Sequence, residues 1–156
     1  MRIAFFASIL LAGVCAALPA RAAEGSAVYL QHCQMCHQSA GAGLAGQFPR
    51  LAGRVAAMAA VPEARPYLVH VIGQGMSGSI TVDGEALVGM MPGFAQIPDA
   101  DVASLLNHLI TLGKPPRKAP TPFTTEEVQA LRAGPALSAT DTHALRKTLG
   151  IAKIAP

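Results

Sequence analysis

The sequence predicts an all-α fold, and three observations carry that prediction. Val102, Leu105, Leu106, Leu109 and Ile110 recur at i, i+3, i+4, i+7 and i+8, the stripe of an amphipathic helix. Tyr67, Leu68, Val71 and Ile72 draw one apolar face on a second segment, Pro62 to Ile72. Thr124-Thr125-Glu126-Glu127 and Ser138 to Asp141 read as capping boxes, the local signal of a helix start. The 156 residues are 51% hydrophobic and 13% charged, which argues against disorder. Large side chains are scarce, with five Phe, two Tyr and no Trp. So thin a core would be well filled by a buried macrocycle.

The chain opens on a targeting pattern. Arg2 is followed by an uncharged apolar stretch, Ile3 to Leu18, and by the small-residue cleavage site Ala20-Arg21-Ala22. Residues 1–22 therefore read as a secretory signal peptide, with a mature chain from Ala23 exported to the periplasm. The apolar run is short for a retained membrane anchor. A lipid on Cys15 would call for a small residue before it, where Val14 stands.

Gly25 to Cys36 reads as a short helix, and Ser39 to Gly46 as a Gly, Ala and Ser loop that Phe48-Pro49-Arg50-Leu51-Ala52-Gly53 continues. Gly73, Gly75 and Gly78 close the Pro62 to Ile72 helix. Asp83-Gly84 between short apolar flanks marks a possible small hairpin over Ile80 to Leu87. Gly89 to Phe94 is again a loop. Asp99, just after Pro98, is placed to cap the helix to Leu112, which Gly113 and Pro115 stop. The sequence thus divides into a body, 23–112, a Pro-rich basic linker, 113–122, and a short helical extension, 123–156. In the extension Phe123 and Val128 form a hydrophobic staple, and Leu137, Leu145 and Leu149 are the other apolar anchors. The body carries three basic and six acidic residues, a net −3; the segment 113–156 carries seven and three, a net +4. Helices this short need something to dock on, either the body's own surface, to which their charge is opposite, or a partner protein.

One motif carries chemistry. Cys33-Gln34-Met35-Cys36-His37 has the C-x-x-C-H spacing of covalent haem attachment. Two intervening residues set two sulfurs at the separation of the two haem vinyl groups, and the next residue aims an imidazole at the iron. His37 is then the proximal ligand. A zinc site would need two further ligands, and removal of Cys15 with the signal leaves no other cysteine. A redox-active C-x-x-C belongs in a βαβ setting that is absent here. For the second axial position thioether and imidazole both suit iron. Met91, before Pro92 in a Gly-flanked loop, is the first choice and Met90 its rival. Met58 and Met76 read as packing residues. His32 shares the motif's helix, His70 reads as a packed or surface residue, His108 sits on or beside the last apolar face, and His143 lies in the exposed tail.

Gly25-x-x-Val28-Tyr29, the C-x-x-C-H motif, Phe48-Pro49-Arg50-Leu51, Met91-Pro92-Gly93-Phe94 and the helix to Leu112 follow one another as in class I c-type cytochromes, which the segment 24–112 resembles. The resemblance implies a small helical bundle wrapped on one covalent haem c, its first and last helices crossing. It implies Cys33 and Cys36 for attachment, His37 and Met91 as iron ligands, and Pro49 as the residue whose carbonyl accepts a hydrogen bond from His37. His108 stands where that family commonly has an aromatic residue, so the helix crossing is expected to pack differently.

These readings favour a monohaem electron carrier, with iron held on both axial sides and unnamed redox proteins as partners. A partner docked on the extension would be such a redox protein, held near the haem. Two others stay open: a cytochrome subunit docked in a periplasmic dehydrogenase, reductase or oxidase, and a haem enzyme or gas sensor with an open distal site. No basic patch with aromatic platforms supports nucleic-acid binding, and membrane contact is expected only through a membrane-bound partner. The signal and the motif together predict an exported protein that starts at Ala23 and carries the added mass of one haem. Intact-mass analysis checks both, and an unmodified chain with a Cys33–Cys36 disulfide would sink the haem assignment.

Overall fold

The computed structural model describes residues 20–155, so the predicted signal peptide, Cys15 included, lies almost wholly outside the described residues. Helix α1 spans Ala20–His32 and α2 is a single turn, Gln34–His37. A loop then leads to α3 (Arg54–Ala59), a 3₁₀ turn at Pro62–Ala64 and α4 (Arg65–Gln74). Two antiparallel strands follow, β1 (Met76–Val82) and β2 (Glu85–Met91). The chain closes with α5 (Asp99–Thr111), α6 (Thr125–Arg132), α7 (Ala139–Thr148) and α8 (Ile151–Ile154). Among the described residues no helix is long and apolar enough to cross a membrane.

Helices α1 and α5 cross at backbone contact. A Cβ added to Gly25 would lie 2.1 Å from the Ser104 carbonyl oxygen and 2.9 Å from His108 Cβ. The Val102, Leu105, Leu106 and Leu109 stripe of α5 is buried as its periodicity predicts, and packs with Tyr67, Leu68, Val69 and Ile72 of α4 in one core. The second predicted helix begins as the 3₁₀ turn, with Pro66 in the first turn of α4. The short α3, which no periodicity in the sequence marks, buries Val55, Met58 and Ala59.

The fold is mostly helical but not all-α. The expected small hairpin is a ladder of seven pairs, from Met76↔Met91 to Val82↔Glu85, and it absorbs the segment expected to be a loop before Pro92. Asp83 (φ 54°) and Gly84 (φ 85°) make the predicted two-residue turn, their positive φ matching the right-handed strand twist. The glycines that masked the outer ladder have another role. Gly78 and Gly89 pair with each other, and a Cβ on Gly78 would sit 3.0 Å from the His143 ring. Gly78 is the notch in β1 that lets α7 approach.

The C-terminal extension is part of the core. Phe123, Val128 and Ile151 are buried in the same core cluster as the side chains of α3, α4 and α5. Asn107 holds the segment in register, its amide donating to Phe123 O (2.9 Å) and its carbonyl accepting from Phe123 N (2.7 Å). Two predicted caps change partner. The Asp99 side chain caps nothing and instead pairs with Arg132 of α6 at 2.7 Å. Thr124 accepts from Glu127 N, but the Glu127 carboxylate turns to Arg65, which also stacks over the Phe123 ring. The Ser138–Asp141 box forms in both directions. Helix α7 buries Thr142 and Arg146 more completely than Leu145 and Leu149, the anchors expected from sequence. His143, expected in an exposed tail, is half-buried and its ring Nε2 lies 2.8 Å from Ser79 O.

Two outcomes follow from this packing. Gly to Ala inside a helix ordinarily gains about 1 kcal/mol of helix propensity. At Gly25 the sign should reverse, because the Ser104 backbone cannot yield, and overpacking costs about 1–3 kcal/mol or more. Thermal melting of Gly25→Ala decides, and a raised melting temperature would exclude the close crossing. Truncation after Leu112 removes, among others, the buried apolar side chains of Phe123, Val128 and Ile151, each stabilising by about 1.5–3 kcal/mol. That is a large part of an ordinary domain's stability, so the truncated holoprotein should melt far lower; an unchanged melting temperature would contradict the core assignment.

Candidate functional site

Helix α1 breaks at Cys33, and the next turn returns on it, with His37 N donating to Cys33 O at 2.9 Å. The turn brings Cys33, Cys36 and His37 together. Neither sulfur is in a disulfide. Burial, with Cys36 nearby adding to it, pushes the Cys33 thiol up to about 11. Such a setting disfavours the activated thiolate of a redox pair. The Tyr29 hydroxyl donates to Gln38 O at 2.5 Å and pins the end of the motif, where Gln38 takes a positive φ of 59°.

His37 is buried, and its Nδ1 lies 2.9 Å from Pro49 O. A carbonyl only accepts, so Nδ1 carries the proton and the free lone pair is on Nε2. Burial lowers the His37 pKa and the Pro49 bond only partly opposes it. The imidazole is thus neutral, oriented and ready to ligate.

Cys33 and His37 line an apolar cavity whose walls come from α3, α4, α5, the hairpin and α7. The apolar lining is that of a cofactor site. A second hollow continues it past Cys36 and Phe48 to the edge of β2. Met91 borders both; Met90, 72% exposed, borders only the outer one. The difference is the strand period, which sends neighbouring side chains to opposite faces. The Met91 backbone is held tightly, since a Cβ on Gly75 would lie 2.3 Å from Met91 O and one on Gly93 2.6 Å from Gly73 O. Phe94 completes the clamp, its N–H bonded to Ile72 O at 2.8 Å and its ring 5.7 Å from that of His32.

Met58 and Met76, read from sequence as packing residues, line the inner cavity as well. Met76 pairs with Met91 in the ladder, and its sulfur accepts from the Tyr67 hydroxyl at 3.6 Å. His32, His70, His108 and His143 are not among the cavity's lining residues. His108 takes the aromatic place at the helix crossing, its ring 5.7 Å from Tyr29.

The sequence family described as cytochrome C oxidase, cbb3-type, subunit III matches residues 20–109. A cytochrome c-552 of Thermus thermophilus is 40% identical over 153 residues, 97% of this chain and 99% of that protein. The chain is a class I c-type cytochrome. A second Thermus thermophilus cytochrome c-552 is 42% identical over 131 residues, covering 83% of this chain and 98% of its own. The 153-residue match extends beyond residue 109, where the family match ends, so it includes most of the extension.

Family membership brings haem c with its iron as the cofactor, and the cavity fits it. The Cys33 thiol and the neutral His37 imidazole stand at one wall, Cys36 borders the adjoining hollow, the Met91 thioether borders both, and the inner lining is otherwise mostly apolar. The charged exceptions are three arginines that sequence reading missed as site residues, Arg50, Arg54 and Arg146, beside the Tyr67 hydroxyl. Arg50 is tied to Asp83 by two hydrogen bonds of 2.9 and 2.7 Å. Arg54 and Arg146 are buried. No pattern in the sequence marks Arg146, because the burial of Thr142 one turn before it is visible only in the fold.

Proposed function

We propose that this cytochrome is a periplasmic one-electron carrier, with Cys33 and Cys36 attached to the haem by thioethers and His37 and Met91 as axial iron ligands. The observation that carries the reading is the shared cavity, bordered by a Pro49-oriented His37 and by Met91 on a clamped strand end. When bound, haem supplies a reversible ferric–ferrous couple. The residues do the rest. Thioethers anchor the ring, the Pro49 carbonyl fixes the imidazole plane and strengthens its basicity, and a thioether ligand raises the potential. With His37 and Met91 both holding it, the iron would have no open position, which would suit electron transfer to and from other redox proteins. The names of the two Thermus relatives, both cytochrome c-552, agree with a carrier.

The description of the matching family favours a second reading, a subunit docked on an oxidase. Co-purification from the native source separates the two, since a subunit stays with its complex and a carrier does not.

Met91→Ala should abolish the weak far-red band of a ferric Met–iron bond, lower the potential and admit cyanide or carbon monoxide. Met90→Ala should leave that band in place. The reverse pattern would move the ligand to Met90, and an absent band in the parent protein would favour an open distal site.

A further inference from the structure

Two buried cations face the apolar cavity without adequate partners. Arg54, on α3, is 4% exposed, and Arg146, on α7, is 8% exposed. Among the described residues nothing accepts a hydrogen bond from Arg54 Nη1 or from Arg146 Nη2. Arg54 Nη1 stands 3.6 Å from the Asp83 carboxylate, which is itself engaged by Arg50. Arg146 Nη1 reaches only the Tyr67 hydroxyl, at 3.4 Å. Leaving a buried donor unmade is costly, and leaving a buried charge unpaired is costlier still. The two guanidiniums also repel each other: burial, and then Arg146 and Arg50, work against the charge on Arg54, with Asp83 opposing them. Such an arrangement is stable when anions join it. Guanidinium is the side chain suited to carboxylate, which it binds with two parallel N–H donors.

We propose that Arg54 and Arg146 bind the two propionate carboxylates of the haem, so that α7 of the C-terminal extension is latched by the cofactor itself. The proposal rests on the haem reading above. The body supplies one cation, from α3, and the extension supplies the other, from α7. The Tyr67 hydroxyl, shared between Arg146 and Met76, links the carboxylate end of the site to the ladder that carries Met91.

Arg146→Gln in the full-length holoprotein tests this. Ferric haem carries one more positive charge than ferrous haem, so a carboxylate stripped of its cation favours the ferric form. The potential should fall, by on the order of a tenfold change in the ferric-to-ferrous ratio. The propionate bending band in the resonance Raman spectrum should shift, while the far-red Met–iron band stays. Arg146→Lys keeps the charge but not the planar fork; its potential should stay near the parent's while the propionate band still moves. Should the Gln variant fail to fold, the Lys variant carries the test alone. An unmoved propionate band in the Lys variant, or an unchanged potential and band in the Gln variant, overturns the proposal. Absence of any haem mass on the parent protein would instead defeat the haem reading, before any variant is compared.

Discussion

The backbone contact of α1 with α5 at Gly25 governs the rest of the structure. It brings α1 down onto Ser104, so that the end of α1, with Cys33, arrives beside the Leu105, Leu106 and Leu109 stripe. The Tyr29 ring against His108, and the Tyr29 hydroxyl on Gln38, then fix how the chain leaves the helix through Cys36 and His37. One crossing therefore places two thiols, an imidazole and the apolar wall behind them. With five Phe, two Tyr and no Trp in 156 residues, the chain has little bulk with which to close the space it encloses. The cavity is a consequence of composition as much as of topology.

The hairpin supplies the facing wall, and two strands alone are marginal in water. Three ties outside the ladder stabilise it. Arg50 bonds Asp83 at the turn, His143 meets Ser79 in β1, and the glycines at 75 and 93 let the strand ends press on the end of α4. Each tie joins the hairpin to an element that also borders the cavity or carries a cavity residue. The loop with Pro49, which orients His37, also carries Arg50, which holds the turn. Orientation of the His37 imidazole on one side and strand placement on the other are thereby coupled through two consecutive residues.

How much of this the sequence discloses depends on whether the cause is local. The C-x-x-C-H spacing, the 3.6-residue stripe of α5, the Asp83-Gly84 turn and the Ser138–Asp141 cap are each set within a few residues, and each is legible. The outer half of the ladder is not, because Gly78 and Gly89 lower strand propensity and the reason for Gly78 is a histidine 65 positions later. Asp99 and Glu127 read as caps because nothing in the sequence names the arginines, Arg132 and Arg65, that draw their carboxylates away. Arg54 and Arg146 are 92 positions apart, and only the folded chain shows that they share a cavity.

The extension also shows which force wins in docking it. The net charges, −3 on the body and +4 on the segment that follows, suggest electrostatic attraction. The ion pairs between them do not follow that polarity. Arg132 of the extension pairs with Asp99, but Glu127 of the extension pairs with Arg65 of the body, so one pair runs with the net charges and one against. Such partly exposed pairs contribute about 0–1 kcal/mol each. Phe123, Val128 and Ile151, fully buried, contribute about 1.5–3 kcal/mol each. Apolar burial therefore holds the extension to the body, and the ion pairs set its register. Once it is seated by burial, α7 can carry Arg146 into an apolar cavity that its charge alone would disfavour.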